Sequence, residues 1–475
     1  MSAKLLIDGS FVEASDGQER TSINPSTGEA IGQWPVATKE DVDSALEAAQ
    51  RGKEAWAAAS PAERIAALLR AADIFDEHKE EIAERISTEM GKPISMARGE
   101  AQEVVDLFRL TAAAAQVHTG EVFPDPGARN GSLGTVAFTK SEPLGVVVCI
   151  GPFNFPVATL TFKTAPALAM GNAIIIKAPS ECPCLVLRYA ELLAQAGFPS
   201  GVVQALSGPG ANMGEWLVAN DKVNAVTLTG STNVGSKILE YSAPYFHRTL
   251  LELGGNDPLI ITDDADIDEA VAQSMCRVAN AGQICCITKR FIVDNAVKDE
   301  YLHKLMEAVS HIRVGNSMDD DNDMGPLVSE RGAIEVERQI KHTIDQGAKL
   351  LCGGERADAF ITPCVLDCPK DSDIAHDLEV FGPVWAVIGV DGDEEAIAVA
   401  NASVFGLNGG VIAKTVERGM AIASQIESGT VVCNGEGSFR NPIHCFGGYK
   451  HSGIGREGIP DLLEEYSQRK TIVIR

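Results

Sequence analysis

A chain of 475 residues exceeds what one hydrophobic core ordinarily holds, so two or three domains are expected. Hydrophobic residues at 45% and charged residues at 22% fit a water-soluble globular protein rather than a disordered or fibrous one. A net charge of −26 argues against nucleic acid or an acidic membrane surface as partner, since each calls for a basic face.

The opening stretch "MSAKLLIDGSFVEASDG" lacks the apolar centre of a signal peptide, and no apolar run reaches the length of a membrane span. Helical periodicity begins with "KEDVDSALEAAQRGKEAWAAAS" and starts afresh at Ser60, where Ser60, Pro61 and Glu63 make a capping box with proline at the first helical position. A third helix is expected through "SMARGEAQEVVDLFRLTAAAAQ". After about residue 135, short apolar runs ("LGVVVCI", "AIIIK", "VVQAL", "AVTLT") alternate with helical patterns. That alternation implies a parallel sheet covered on both faces. A second series of strands ("PLIIT", "RFIVD", "KLLCGG", "PVWAVIGV", "GTVVCNG") follows "ELGGNDP", and "KTIVIR" reads as a terminal strand. The sum is two α/β domains joined near residue 253, with a small extension built from two separated pieces.

Eleven cysteines, an odd number without framework spacing, point to reduced thiols and a cytoplasmic location. Cys182 and Cys184 lack the second pair that a zinc site needs, so no metal is expected.

Four loops follow predicted strands, where open α/β sheets bind ligands. In "GPFNFP", Asn154 is either a turn residue or a donor to a developing oxyanion. In "TLTGSTNVG", Gly230 and Ser231 lead into a helix whose N-terminus favours a phosphate, although neither this stretch nor "GPGANMG" keeps the G-x-G-x-x-G spacing. In "LLELGGNDP", Glu252 has either a structural partner or work as a general base. In "GQICC", two adjacent cysteines are either small core residues or include a nucleophile.

In this order and spacing the four loops, with "LEVFGPV" and "FGGYKHSGIGREG" further on, resemble the aldehyde dehydrogenase superfamily from about residue 6 to 475. The resemblance implies an α/β fold with a Rossmann-like cofactor domain (1–120 and 142–252), an α/β catalytic domain (253–454) and a small β oligomerisation extension (121–141 and 455–475). It implies Cys285 as nucleophile with Cys286 a packing neighbour. Asn154 would serve the oxyanion hole and Glu252 would activate the hydrolytic water, with Lys163 and Glu457 as a proton relay. CoA-acylating relatives typically lack such a base, so hydrolysis is expected. For an NAD or NADP cofactor it implies Glu379 and Phe381 at the nicotinamide ribose, Lys177 at the adenosine ribose, and Gly230 and Ser231 at the pyrophosphate. Many NAD-preferring members carry glutamate three residues after the lysine; Ser180 stands there and Glu181 one place later, so neither nucleotide is excluded.

"ELGGNDP" and "SFRN" look most like the branch of phosphonoacetaldehyde, phosphonoformaldehyde, lactaldehyde and non-phosphorylating glyceraldehyde-3-phosphate dehydrogenases. Arg109 and Arg440 match positions that bind anionic aldehydes there, and His444 stands as an extra donor. A small anionic aldehyde of the phosphonate type is therefore the expected substrate, with a neutral or hydroxylated one as the alternative. The resemblance also implies a homodimer or homotetramer.

Overall fold

The apolar runs at Val146–Ile150, Ala173–Lys177, Val203–Leu206, Ala225–Thr229 and Pro258–Ile261 become strands buried on both faces, which is why they show no alternation. The computed structural model describes residues 3–123 and 135–474. Part of the expected extension, 124–134, therefore lies outside the described residues.

The first sheet has eight strands in the order Ser10–Val12, Leu5–Ile7, Val203–Leu206, Ala173–Lys177, Val146–Ile150, Ala225–Thr229, Arg248–Glu252, Gly453–Ile454. Its five central strands run parallel; the hairpin of Leu5–Ile7 and Ser10–Val12 closes one side antiparallel, and Gly453–Ile454 closes the other. Helices Lys39–Ala58 and Gly210–Val218 help cover one face, while Pro61–Glu77, Ile94–Val117, Ala158–Ala169 and Pro183–Ala194 build the core on the other. The capping box read at Ser60 is present, with Ser60 N–H donating to Glu63 at 2.7 Å.

The second sheet has seven strands in the order Lys349–Cys352, Cys364–Cys368, Val384–Val390, Arg290–Asp294, Pro258–Ile261, Asn408–Ile412, Thr430–Cys433. Six are parallel, and Lys349–Cys352 is an antiparallel edge. The two sheets are joined through Leu253–Asp257, which links the last parallel strand of the first to a central strand of the second. A third sheet pairs Ser467–Ile474 with Val136–Pro143, and Val136–Pro143 with Val122–Phe123.

The tail departs from the expected division. Gly453–Ile454 pairs with Leu251 and Glu252 in the first sheet, although it was assigned to the catalytic domain. The helix Ile459–Glu465 buries Ile459, Leu462 and Leu463 in the first domain's core, although it was assigned to the extension. Long-range packing of a few apolar residues decided both. Among the described residues no helix is long and apolar enough to cross a membrane, and no group of three or more His, Cys, Asp or Glu is placed to hold a metal ion.

Candidate active site

Two cavities meet where the sheets face each other. A cleft of about 470 Å³ runs over the C-terminal ends of the first sheet's strands, and a smaller cavity of about 270 Å³ lies deeper. Asn154, Thr229, Glu252 and Cys285 line both, so the three residues expected to carry the chemistry share one junction.

Cys285 is delivered by a tight turn. Asn280, Ala281 and Gly282 are consecutive left-handed residues (φ 51°, 50° and 72°). Only glycine fits the last, since a Cβ there would stand 2.1 Å from the Gly382 carbonyl oxygen. Ala281 costs about 1–2 kcal/mol in that conformation, and such strain gathers at functional sites. Buried Arg277 ties the turn to the second sheet by donating to the carbonyls of Gly282, Val380 and Gly382.

Asn154 sits beside this turn: its amide donates to the Gln283 carbonyl at 2.9 Å, and its own carbonyl accepts from Phe155 N–H at 3.1 Å. One amide hydrogen is thereby used and the other remains for the junction. Glu252, at the end of its strand, is 3% exposed, and its Oε1 has no hydrogen-bond partner among the described residues. Burial first, then the neighbouring Cys285 and Glu457, push its carboxyl well above the ordinary 4.5. An unpartnered carboxyl of raised pKa is suited to hold a water and take its proton. The adjacent Cys286 thiol, followed by burial, raises the Cys285 thiol, against which Lys289 and Arg440 act.

Lys163 and Glu457 form a buried ion pair of 2.5 Å. Burial alone would raise the Glu457 carboxyl, but Lys163 and Arg440 hold it below its ordinary range. Arg440 donates to Glu457 at 3.1 Å and is stacked between the rings of Phe162 and Phe446, at 4.1 and 4.2 Å. It lines the inner cavity, shares Glu457 with Lys163, and keeps a buried Nε–H that has no hydrogen-bond partner among the described residues.

The other two expected substrate contacts are displaced. Arg109 is 45% exposed and turns away to Asp73 and Asp76, at 3.5 and 3.4 Å, and it lines neither cavity. One helical turn and a half earlier, Glu103 faces the inner cavity instead. His444 is exposed beside Phe439 and lines neither cavity. The 3.6-residue period put Arg109 on the outer face of Ile94–Val117, and the turn at 441–444 carried His444 outward.

The outer cleft holds the expected cofactor residues Lys177, Ser180, Gly230, Ser231, Glu379 and Phe381. Lys177 is 7% exposed, and among the described residues nothing hydrogen-bonds its ammonium, whose pKa burial lowers. Gly214 opens onto space, since a Cβ there would meet nothing within 4 Å. Ser231 caps the helix Thr232–Ser242, whose N-terminus faces the cleft. A buried cation without a partner, a helix N-terminus and side-chain-free walls fit a dinucleotide. Glu379 accepts from Gly255 N–H at 3.1 Å, and Gly254 must lack a side chain because its Cβ would stand 2.5 Å from Glu379 Oε2. Glu181 is held by Arg331 at 3.0 Å.

Sequence reasoning did not single out Glu103, Lys289 or the Phe162–Arg440–Phe446 stack. The signal for Glu103 was there: it lies among Glu100, Val104, Leu107 and Phe108 on the helix's inner side, where a charge needs a reason.

Two doubly wound sheets with a half-buried cysteine, a buried carboxyl and a dinucleotide-sized cleft at their junction fit an NAD(P)-dependent dehydrogenase. The chain belongs to the aldehyde dehydrogenase family, whose model matches residues 11–472. It is 34% identical to a lactaldehyde dehydrogenase of Methanococcus vannielii over 475 residues, covering 99% of each chain. It is similar in structure to an NADP-dependent glyceraldehyde-3-phosphate dehydrogenase from Bacillus halodurans, solved with NADP. The identity there is 33%, the TM-score 0.96, and coverage 100% of this chain and 99% of that one. A betaine aldehyde dehydrogenase from Staphylococcus aureus, solved with NAD+, matches at 33% identity and TM-score 0.95 over 100% of this chain and 94% of that one.

Proposed function

We propose that the protein oxidises a small hydroxylated aldehyde to its carboxylic acid with NAD or NADP, through a thioester on Cys285. The observation that carries this reading is the junction of the two cavities at Asn154, Glu252 and Cys285. The Cys285 thiolate attacks the aldehyde carbon, and the resulting oxyanion of the thiohemiacetal is held by the Asn154 amide and the Cys285 N–H, each such donor contributing roughly 2.7–4 kcal/mol. The cofactor, when bound, supplies the hydride acceptor. Loss of hydride leaves the thioester, and Glu252 takes a proton from the water that hydrolyses it. Lys163 and Glu457 carry that proton away. Lys177 would hold the adenosine ribose, Gly230 and Ser231 the pyrophosphate, and Glu379 the nicotinamide ribose beside Phe381. Ser180 leaves room for a 2′-phosphate, and relatives solved with NADP and with NAD+ support either nucleotide.

The inner cavity favours a hydroxyl over a phosphonate. Arg109 faces away, and Arg440 is drawn to Glu457, which it shares with Lys163. The Glu103 carboxyl opens onto the cavity, and among the described residues no hydrogen bond or ion pair reaches it. Burial raises its pKa, and a second anion beside it would be repelled. A hydroxyl donates to a carboxylate without that penalty. A volume near 270 Å³ limits the substrate to a few carbons. The lactaldehyde relatives point the same way. A homodimer or homotetramer belongs to the same reading, supported by the exposed edge strand at Ile472, Val473 and Ile474 and by exposed Val122.

NAD(P)H formation with lactaldehyde, propanal and phosphonoacetaldehyde, each with NAD and NADP beside Cys285→Ala, tests it. Lactaldehyde is expected to lead. A preference for phosphonoacetaldehyde would restore the anionic substrate, and activity in Cys285→Ala would refute the mechanism.

A further inference from the structure

Lys289 ends the nucleophile segment just before the strand Arg290–Asp294, and it is 3% exposed. A buried ammonium needs partners, and four surround this one. Its Nζ donates to the Cys285 carbonyl at 2.5 Å and to the Ile287 carbonyl at 3.5 Å, stands 3.4 Å from Glu379 Oε1, and lies 6.0 Å from the centre of the Phe381 ring. The same Glu379 oxygen accepts from Gly255 N–H, so the carboxylate is fixed from two sides.

The lysine is itself held in place. Its backbone N–H donates to the Asp257 carbonyl at 2.9 Å. The next residue, Arg290, is fully buried and donates to the carbonyls of Asn256, Ala375, Val399 and Ala400. The ammonium thus starts from a rigid strand end and reaches back four residues to the nucleophile. A lysine whose only work was to satisfy burial would need one carboxylate; this one spans the carbonyl of the reacting residue and a carboxylate in the cofactor cleft.

We propose that Lys289 is a positioning residue of the reaction: by bridging the Cys285 carbonyl and the Glu379 carboxylate, it fixes the nucleophile turn against the cofactor cleft and sets the charge felt by the Cys285 sulfur. This rests on the reading of Cys285 as nucleophile. The cations acting on that sulfur are Lys289 and Arg440; the acidic groups are Cys286 and Glu252. Arg440 is shared with Glu457, whereas Lys289 is shared with Glu379, which lies on the cofactor side. Lys289 therefore favours the thiolate, and Glu379 moderates it.

The test is the rate of iodoacetamide alkylation of Cys285 against pH, a readout that needs neither substrate nor cofactor. Lys289→Met is expected to displace the curve to higher pH and slow alkylation at neutral pH about tenfold or more, with the alkaline plateau unchanged. Lys289→Arg, which keeps the charge, should return the curve close to wild type. Glu379→Gln should displace it the other way, and this arm decides the matter if Lys289→Met does not fold. A Lys289→Met curve that superposes on wild type, whatever turnover is lost, overturns the proposal, as does an unmoved Glu379→Gln curve. The label is read on the peptide that carries Cys285, because exposed Cys445 also takes it; NAD(P)H formation undiminished in Cys285→Ala would sink the nucleophile reading instead, which keeps the two failures apart.

Discussion

Lys92 stands 2.5 Å from Glu100 Oε2 in a pair that is 0% and 1% exposed. The other Glu100 oxygen accepts from the backbone N–H groups of Val157 and Ala158, at 3.1 and 3.2 Å, at the start of the helix Ala158–Ala169. Lys92 also lies 3.6 Å from the centre of the Phe155 ring. The loop carrying Asn154 is therefore held from below by a buried ion pair. Breaking it by Lys92→Met leaves Glu100 buried and unmatched, which is expected to destabilise the fold by about 3–5 kcal/mol. Thermal melting would read the loss, and an unchanged melting temperature would show that the pair is dispensable.

The adjacent cysteines differ in placement. Cys285 lines both cavities, whereas Cys286 lines only the inner one. Cys285→Ala should lower turnover at least about a thousandfold, as loss of a nucleophile does. Cys286→Ala should keep most of it. Asn154→Ala should cost about 10²–10³-fold in kcat with the melting temperature little changed. Steady-state NAD(P)H formation distinguishes the three.

Under the proposed mechanism, Glu252 should make the late step sensitive to pH. Its carboxyl is raised well above 4.5, and only the ionised form accepts the water's proton, so deacylation should speed up as pH rises through its folded value. Glu252→Gln should give one rapid burst of NAD(P)H and then stall. The stability effect has the opposite sense. A carboxyl raised by burial favours the fold when protonated, so its contribution is complete below 4.5 and is lost as pH rises through the folded value. Glu252→Gln should then gain in melting temperature relative to wild type toward alkaline pH, and a constant difference across pH would contradict the raised pKa.

Glu103 and Arg109 give opposite expectations although they share a helix. Arg109→Ala should leave the rate with any aldehyde nearly unchanged, because the side chain lines neither cavity. Glu103→Gln should weaken the preference for lactaldehyde over propanal and raise the rate with phosphonoacetaldehyde. Ratios of kcat/KM for the three aldehydes measure this, and unchanged ratios would remove Glu103 from the substrate wall.

Much of this was legible in the chain itself. Buried parallel strands announce themselves as short, largely apolar runs between helical patterns, so Val146–Ile150, Ala173–Lys177 and Ala225–Thr229 are legible in the sequence. The loops after them carried Asn154, Gly230, Glu252 and Cys285, because the C-terminal ends of such strands are where a sheet can present side chains to a ligand. The flanking edges were less legible. Leu5–Ile7 and Gly453–Ile454 are short, and they join the sheet through partners distant in the chain, Ala205 for the first and Leu251 and Glu252 for the second.

The sequence by itself determined the two doubly wound sheets, the family and the residues at the strand ends, because local periodicity and motif order encode those features. Only the tertiary structure decided which charges face the cavities. Arg109, Arg440, Glu103 and Lys289 are all polar residues beside apolar ones, and their sequence spacing is compatible with either solvent or site. Arg109 found carboxylates outside, and Arg440 found two rings and Glu457 inside. Glu103 has no hydrogen-bond partner among the described residues, and Lys289 was set between Cys285 and the outer cleft. Each outcome depends on a partner from a distant segment, since a buried charge settles where another part of the chain can match it.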